Sequence, residues 1–293
     1  MFLSSDEKNL HYKFSPNLLP VMEISSGQTV TVQTRDASNG QLRPERSQTI
    51  EVSRLLPATG PIAITDSLPG DALSIFIESI RLAPTGFAWL RPGLGLKSVN
   101  LFGDRYVQAF DVDGEKPLHL AGGLTIPLRS MVGIIGVSPT TDFSNRRPGK
   151  HGGNLDCVDV AQGNTLWLPV HVKGALLSLG DVHAAMGEGE VSGTGIEIDA
   201  EVTITVQRHP QGGLDGPVIS TPSKTAFLES GPDVREAMQA ALDRAVRWLA
   251  RHKNISEMDA TIAASISGNA RICQLVNGDV TVSFELPVRQ FTC

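Results

Sequence analysis

The spacing of the apolar residues constrains this fold most, because these residues alternate in short runs that end at glycine and proline. The run from Leu73 to Ile80 has apolar side chains at 73, 75, 77 and 80, and the run from Ile196 to Val206 alternates throughout. A period of two is typical of a half-buried β-strand. The 29 Gly and 18 Pro residues are spread along the chain and indicate many turns. The sequence therefore predicts many short strands.

Helical spacing occurs only late in the chain. Apolar residues recur at helical intervals from Pro232 to Arg251, and Ser256 to Asp259 has a capping-box pattern that predicts a second helix. The Asn277-Gly278 pair between two β-rich runs predicts a hairpin. We expect a mainly β, α+β fold: a single domain over residues 1–293 with β-sandwich-type packed sheets and the helix pair covering one face.

Charge and composition exclude several classes of function. The formal net charge is −6 and no dense Lys/Arg stripe occurs, which argues against nucleic-acid binding. No run approaches the roughly 18 apolar residues of a membrane span, and the polar start has no apolar signal segment. The cysteines Cys157, Cys273 and Cys293 have neither metal-ligand nor disulfide-framework spacing. These features predict a cytoplasmic protein without a membrane partner.

The stretch Gly180–Glu197 concentrates ionisable residues between two apolar runs. Asp181 and His183 are two apart, so on a strand both side chains lie on one face and can converge on one divalent ion of the zinc type. Asp36, at the end of another predicted strand, is a candidate third ligand. The same spacing also fits a salt-bridged Asp–His pair on a surface hairpin.

Two further acids follow in this stretch. Glu188 and Glu190 share a face if the backbone is extended, and either carboxylate can act as a general base towards a water molecule. A solvated Gly-Glu-Gly-Glu turn explains the same pattern.

A third candidate region runs from His151 to Asp156. Its two glycines let backbone N–H groups face a ligand, Asn154 can hydrogen-bond an amide, and Asp156 can act as a base or orient another group. A polar loop with an Asx-type turn is the alternative interpretation. Cys157 follows directly and is either a thiol nucleophile or a small buried apolar residue.

Taken in order, several motifs resemble those of the acetamidase/formamidase family over nearly the whole chain. They include Thr34-Arg35-Asp36-Ala37, Gly133-Ile134-Ile135-Gly136-Val137, His151-Gly152-Gly153-Asn154-Leu155-Asp156 and Gly180-Asp181-x-His183-Ala184-Ala185-x-Gly187-Glu188-Gly189-Glu190. The resemblance implies hydrolysis of a small linear amide to a carboxylate and ammonia. It also implies a β-sandwich-containing fold, a homo-oligomer and a divalent metal.

The leading hypothesis is therefore an amidohydrolase that uses a metal-activated water. Asp36, Asp181 and His183 would hold the ion, zinc being favoured over calcium. Glu188 and Asp156 would be catalytic, and Asn154 and His151 would orient a formamide- or acetamide-like substrate. Two alternatives stay open: a metal-free amidase with Cys157 as nucleophile, and a non-catalytic β-sandwich binding protein of the same fold.

Overall fold

The computed structural model describes residues 1–44, 50–96, 105–114, 116–288 and 291, and Cys293 lies outside them. The chain is mostly strand, as the alternating runs predict. The strands, in chain order, are β1 Phe2–Leu3, β2 Leu10–His11, β3 Lys13–Phe14, β4 Met22–Ile24, β5 Gln28–Thr34, β6 Ala58–Ile64, β7 Ala72–Leu82, β8 Thr85–Leu90, β9 Tyr106–Asp111, β10 Leu118–His119, β11 Thr125–Ile126, β12 Met131–Gly136, β13 Phe143–Ser144, β14 Pro148–Gly149, β15 Gly152–Asn154, β16 Thr165–Pro169, β17 Leu177–His183, β18 Glu197–Ile198, β19 Ala200–His209, β20 Val218–Ser220, β21 Thr225–Gly231, β22 Asn269–Gln274 and β23 Val280–Leu286.

Two large sheets contain most of these strands. The first has the order β1-β5-β19-β7-β16-β20-β21-β23-β22 over the described residues, and its pairs are antiparallel except β1 with β5. The second has the order β14-β15-β12-β17-β18-β8-β9, and β6 joins it through β17 and pairs with β2 and β4. Short pairs β10–β11 and β3–β13 lie outside both.

The two sheets pack over one apolar core. Val32 of β5 and Ile204 of β19 come from the first sheet, and they share a buried cluster with Ile135 of β12 and Leu179 of β17 from the second. Strand β5 buries alternate residues, whereas every residue of β12 and β17 is buried. The strands that carry the candidate site are thus covered on both faces.

The two helices cover one end of the first sheet. Helix α1 (Val234–Lys253) begins at Asp233, whose side chain accepts hydrogen bonds from the backbone N–H groups of Arg235 and Glu236. Helix α2 (Glu257–Ser267) is capped by Ser256, as predicted. The helices form a second apolar core with β21 and β23. The mainly β fold with a late helix pair is confirmed, and neither described helix has the length and hydrophobicity to span a bilayer.

Candidate active site

Five buried ionisable side chains meet at one end of β17, and we call them the carboxylate–histidine cluster: Asp156, Asp181, His183, Glu190 and Glu197. They form two groups that share His183. One group is Asp156, His183 and Glu190, and the other is Asp181, His183 and Glu197. Within each group the potential ligand atoms all lie within 4.8 Å of one another. Either group could hold a metal ion.

Four segments of the chain position these side chains. Asp181 and His183 belong to β17, Glu197 begins β18, Asp156 follows β15, and Glu190 lies in the connection between β17 and β18. That connection is attached to the end of β22, because the N–H of Gly189 donates to the carbonyl of Cys273 (2.8 Å) and the N–H of Leu275 donates to the carbonyl of Gly189 (3.1 Å).

Three of the acids have left-handed backbones. The φ angles are 41° at Asp156, 55° at Asp181 and 46° at Glu190. Residues other than glycine adopt this region at a cost of about 1 kcal/mol or more, and such residues concentrate at functional sites.

Two glycines leave the room that the cluster needs. A Cβ atom on Gly133 of β12 would lie 2.7 Å from the carbonyl oxygen of Asp181 and would collide with the carboxylate of Asp156. A Cβ atom on Gly195 would lie 2.7 Å from the ring of His183. The cluster therefore depends on residues that carry no charge themselves.

Several polar atoms of the cluster make no well-aligned hydrogen bond within the part of the protein that the structure describes. His183 Nε2 lies 3.5 Å from Asp181 Oδ1 and 3.2 Å from Glu197 Oε2, and none of these three atoms makes a well-aligned hydrogen bond. Asp156 Oδ1 and Glu190 Oε2 are likewise buried without a partner. Buried polar atoms normally make hydrogen bonds, so five such atoms at one place are typical of a site that binds a ligand.

The other atoms of these side chains are held by the protein. Glu197 Oε1 accepts from the N–H of Gly195 (3.1 Å), and the side-chain amide of Asn277 donates to Asp156 Oδ2. His183 Nδ1 lies 3.3 Å from the sulfur of Met186, so this nitrogen can donate there and leave the Nε2 lone pair for a cation.

Burial and mutual repulsion shift the pKa values of the cluster. Burial, and then the charge of Asp181, raises the pKa of Asp156 to about 7. Burial raises the pKa values of Glu190 and Glu197 well above the ordinary value, with the charge of Asp156 adding to the effect at Glu190. Burial lowers the pKa of His183, but Glu197 and Asp181 outweigh it and raise that pKa well above normal. Without a cation, the cluster does not keep all of its carboxylates ionised, because burial and mutual repulsion favour the protonated form.

A cavity of about 340 Å³ opens onto the cluster. Asp156, Asp181, Glu190 and Glu197 line it, together with Asn154. A volume at the lower end of the range for ligand pockets, with convergent polar groups at one place, is typical of a small-molecule site.

The structure brings Asp181, His183 and Asp156 together, but it does not bring Asp36 to them. Asp36 belongs to neither candidate metal group of the described residues. Its buried carboxylate accepts from the N–H (2.8 Å) and hydroxyl of Ser38 and from Arg43 Nη2 (2.8 Å). These hydrogen bonds stabilise the turn after β5. Glu197, rather than Asp36, forms a group with Asp181 and His183.

Glu188 also lies apart from the cluster. Its side chain is exposed and forms an ion pair with Arg271, whereas Glu190 is buried and lines the cavity. The left-handed Glu190 breaks the extended backbone that would have put both acids on one face. The geometry therefore favours Glu190 over Glu188 as the acid that faces a ligand.

The two predicted substrate-orienting residues have different positions. Asn154 lines the cavity, and its side-chain oxygen has no hydrogen-bond partner. His151 is not among the residues that line the cavity, and it packs edge-on between the rings of Phe14 and Phe143 at 5.0 and 4.6 Å. Burial lowers the pKa of His151 to about 3. The geometry supports Asn154 as a ligand contact and His151 as a core residue.

Cys157 is buried in the main core and does not line the cavity. Its thiol contacts that of Cys273, and this contact, followed by burial, raises the pKa of Cys273 well above its usual value. The described geometry gives the cysteine alternative no support.

Sequence reasoning assigned no role to Glu197. Its only signal was its position in the acid-rich stretch, because it lies fourteen positions after His183 and pairs with that residue across β17 and β18. The register His183↔Glu197 is a property of the tertiary fold. Only strand pairing distinguishes this acid from its neighbours.

Comparisons with known proteins agree with this architecture. The model of the Acetamidase/Formamidase family matches residues 2–148 and 145–291. The chain belongs to the acetamidase/formamidase family.

Solved structures of the family are close to this one. A Thermoanaerobacter tengcongensis protein described as a "predicted acetamidase/ formamidase" is 33% identical, with a TM-score of 0.93, over 98% of this chain and 95% of that one. An acetamidase from Bacillus halodurans is also 33% identical, with a TM-score of 0.92, over 98% of this chain and 97% of that one.

The curated relatives match over a smaller share. The acetamidase of Mycolicibacterium smegmatis is 22% identical over 253 residues, which are 62% of this chain and 61% of the relative. This chain spans between 37% and 64% of the length of the curated relatives it matches.

Proposed function

We propose that this protein hydrolyses the C–N bond of a linear amide with the help of a divalent metal held by the carboxylate–histidine cluster. The observation that carries the proposal is a set of five buried ligand atoms without a well-aligned hydrogen bond, four of them on carboxylates that line one cavity. Membership of the acetamidase/formamidase family supports an amide as the substrate.

Asp181, His183 and Glu197 are the best candidates to hold the ion. Their free atoms are close together, and His183 can keep its other nitrogen on the sulfur of Met186. One imidazole nitrogen among carboxylate oxygens favours zinc over calcium, which takes oxygen ligands. Such an ion supplies Lewis acidity, which lowers the pKa of a bound water and polarises an amide carbonyl.

Glu190 is the proposed general base, with Asp156 as its partner. The two buried acids belong to one group, and the charge of Asp156 helps to raise the pKa of Glu190. Glu190 takes a proton from water as the water oxygen bonds to the carbonyl carbon. It then returns this proton to the nitrogen as the C–N bond breaks, which gives a carboxylic acid and ammonia; the acid then transfers its proton to ammonia, which leaves a carboxylate and ammonium. Asn154 orients the amide by hydrogen bonding.

Metal content and amide turnover, measured on the same preparation, test this proposal. Elemental analysis should find about one zinc per chain, and a chelator should abolish ammonia release from formamide, acetamide or a longer amide. Added zinc should restore it. The His183→Gln variant should lose the metal, and the exposed His119→Gln control should keep it.

Three results would contradict the proposal in distinguishable ways. Full turnover in metal-free protein would exclude the metal. Turnover that survives chelation but is lost on thiol alkylation would favour the cysteine mechanism. A metal-loaded protein that releases no ammonia from any linear amide would favour a binding protein of the same fold.

A further inference from the structure

The cavity is larger than the smallest amides require. At about 30 Å³ for each water-sized group, a volume of about 340 Å³ has room for about ten ligand atoms other than hydrogen. Acetamide would fill less than half of it. The additional space has room for a further part of a substrate.

One wall of this space is apolar. Leu42 and Trp89 are buried there, and Leu56, Leu94 and Val276 are among the other apolar residues that line the cavity. Leu42 and Trp89 belong to one apolar cluster, against which Leu56 and Leu94 pack. An aliphatic segment of a ligand would remove this surface from water.

Two arginines, Arg91 and Arg146, line the same cavity. Both are partly exposed, whereas the four acids are buried, so the guanidinium groups lie nearer to solvent than the cluster does. Arg146 Nη2 donates to the carbonyl of Val52 (2.6 Å), which fixes its head group and leaves other N–H donors available.

Neither guanidinium group makes a salt bridge with an acid within the part of the chain that the structure describes. Burial, and then the charge of Arg91, lowers the pKa of Arg146. Nine other described arginines do pair with an Asp or Glu: Arg35, Arg43, Arg54, Arg81, Arg129, Arg147, Arg208, Arg244 and Arg271. Arg91 and Arg146 therefore have positive charge available for an anionic ligand.

We propose that this site accepts an amide whose aliphatic chain ends in a carboxylate, with Arg91 and Arg146 binding that carboxylate. The inference rests on the proposed amide hydrolysis and names its substrate class. Two guanidinium groups that line one cavity can bind one carboxylate through several charge-assisted hydrogen bonds, and the anion offsets their like charge. The aliphatic part of the substrate lies along the apolar wall, and its amide group reaches the carboxylate–histidine cluster.

Two matched substrate series test the inference. One contains monoamides of straight-chain dicarboxylic acids, from succinamate to pimelamate, and the other contains neutral alkyl amides of equal length. We expect kcat/KM for the best carboxylate-bearing amide to exceed that of its neutral counterpart by about a hundredfold.

Arginine variants give the second arm. Arg91→Gln and Arg146→Gln should each raise KM for the carboxylate-bearing amide about tenfold or more and change neutral amides less than about twofold. Arg235→Gln, an exposed arginine at the start of α1, is the control and should change neither series. Thermal unfolding of each variant verifies that it is folded.

The outcomes separate this inference from the proposed function. Equal turnover of both series, or arginine variants that slow both series alike, would overturn the substrate class and leave amide hydrolysis intact. If no amide turns over, calorimetry with glutaramate still decides. Binding that is lost in both arginine variants supports the carboxylate site, and no binding refutes it.

Discussion

Two regions of this molecule contain buried acids at strand ends, and they treat those acids in opposite ways. After β5, Asp36 is surrounded by donors from Ser38, Gly40 and Arg43. At the end of β17, the carboxylate–histidine cluster has five buried atoms that make no well-aligned hydrogen bond with the described residues.

The difference separates a structural carboxylate from one that is available to a ligand. A buried charge that is fully hydrogen-bonded stabilises its own turn and has no capacity left for an ion. A buried group of acids whose oxygens lack hydrogen bonds instead lowers the free energy of unfolding, and such groups occur mainly where a ligand binds. Substitutions in the two regions should therefore have opposite effects on stability and on turnover.

The largest effect is expected from Glu190→Gln. Loss of the proposed base should lower kcat by about a hundredfold or more, while the free energy of unfolding of the metal-free protein stays equal or rises, because an unpaired carboxylate is removed. Glu188→Gln is the matched control. It should change kcat less than about twofold, since it loses only a partly exposed ion pair with Arg271.

Ammonia release and chemical denaturation of both variants are the measurements. If Glu188→Gln were as inactive as Glu190→Gln, facing the cavity would not distinguish the base, and the assignment of Glu190 as the general base would be wrong.

A smaller loss of turnover is expected from Gly133→Ala. The new methyl group would push the Asp156 carboxylate and the Asp181 backbone apart, which should lower kcat/KM about tenfold and destabilise the protein by about 2 kcal/mol. Gly187→Ala has open space around its Cβ position and should change neither quantity appreciably. Steady-state kinetics with thermal unfolding measures both. Normal kinetics in Gly133→Ala would show that the cluster tolerates displacement.

The Asp36→Asn variant should show the reverse pattern. Its loss of charge weakens the bonds to Ser38 and Arg43, so we expect a stability loss of about 2 kcal/mol with kcat and metal content unchanged. Urea denaturation and elemental analysis are the measurements. Loss of the metal at unchanged stability would restore Asp36 as a candidate ligand.

The last comparison is between two buried histidines whose pKa values are shifted in opposite directions. Burial lowers the pKa of His151 to about 3, whereas the acids around His183 raise its pKa. An unfolded histidine binds a proton below about pH 6.5, but His151 in the folded chain does not until about pH 3. The stability it contributes is therefore complete above about pH 6.5 and lost as the pH falls towards about 3.

The parent should lose about 2.5 kcal/mol of stability through His151 between about pH 7 and 4.5, and the His151→Gln variant should not show this loss. Denaturation of parent and variant across that range gives the difference, with the exposed His119→Gln as control. Parallel curves for parent and His151→Gln would mean that His151 is accessible to protons in the folded state.

Much of the fold was predictable because local patterns determine it. The alternation in β5, the cap at Ser256 and the Asn277-Gly278 hairpin depend on near neighbours in the chain. The i, i+2 spacing predicts that the side chains of Asp181 and His183 share a face, and His183 Nε2 lies 3.5 Å from Asp181 Oδ1. Asp36 and Glu188 carry carboxylates suited to the predicted roles, but neither faces the cavity. The loops around them supply hydrogen-bond donors to Asp36 and leave Glu188 exposed, and these features depend on the tertiary structure.

By itself, the sequence determined a mainly β chain with late helices and an acid-rich stretch beside a buried strand, since periodicity and turn chemistry are local. Only the tertiary structure decided which acids face the cavity. Pairing of β17 with β18 brings Glu197 to His183, and the left-handed Glu190 turns inward while Glu188 turns to Arg271. Those choices depend on contacts between segments far apart in the chain, and no local pattern encodes them.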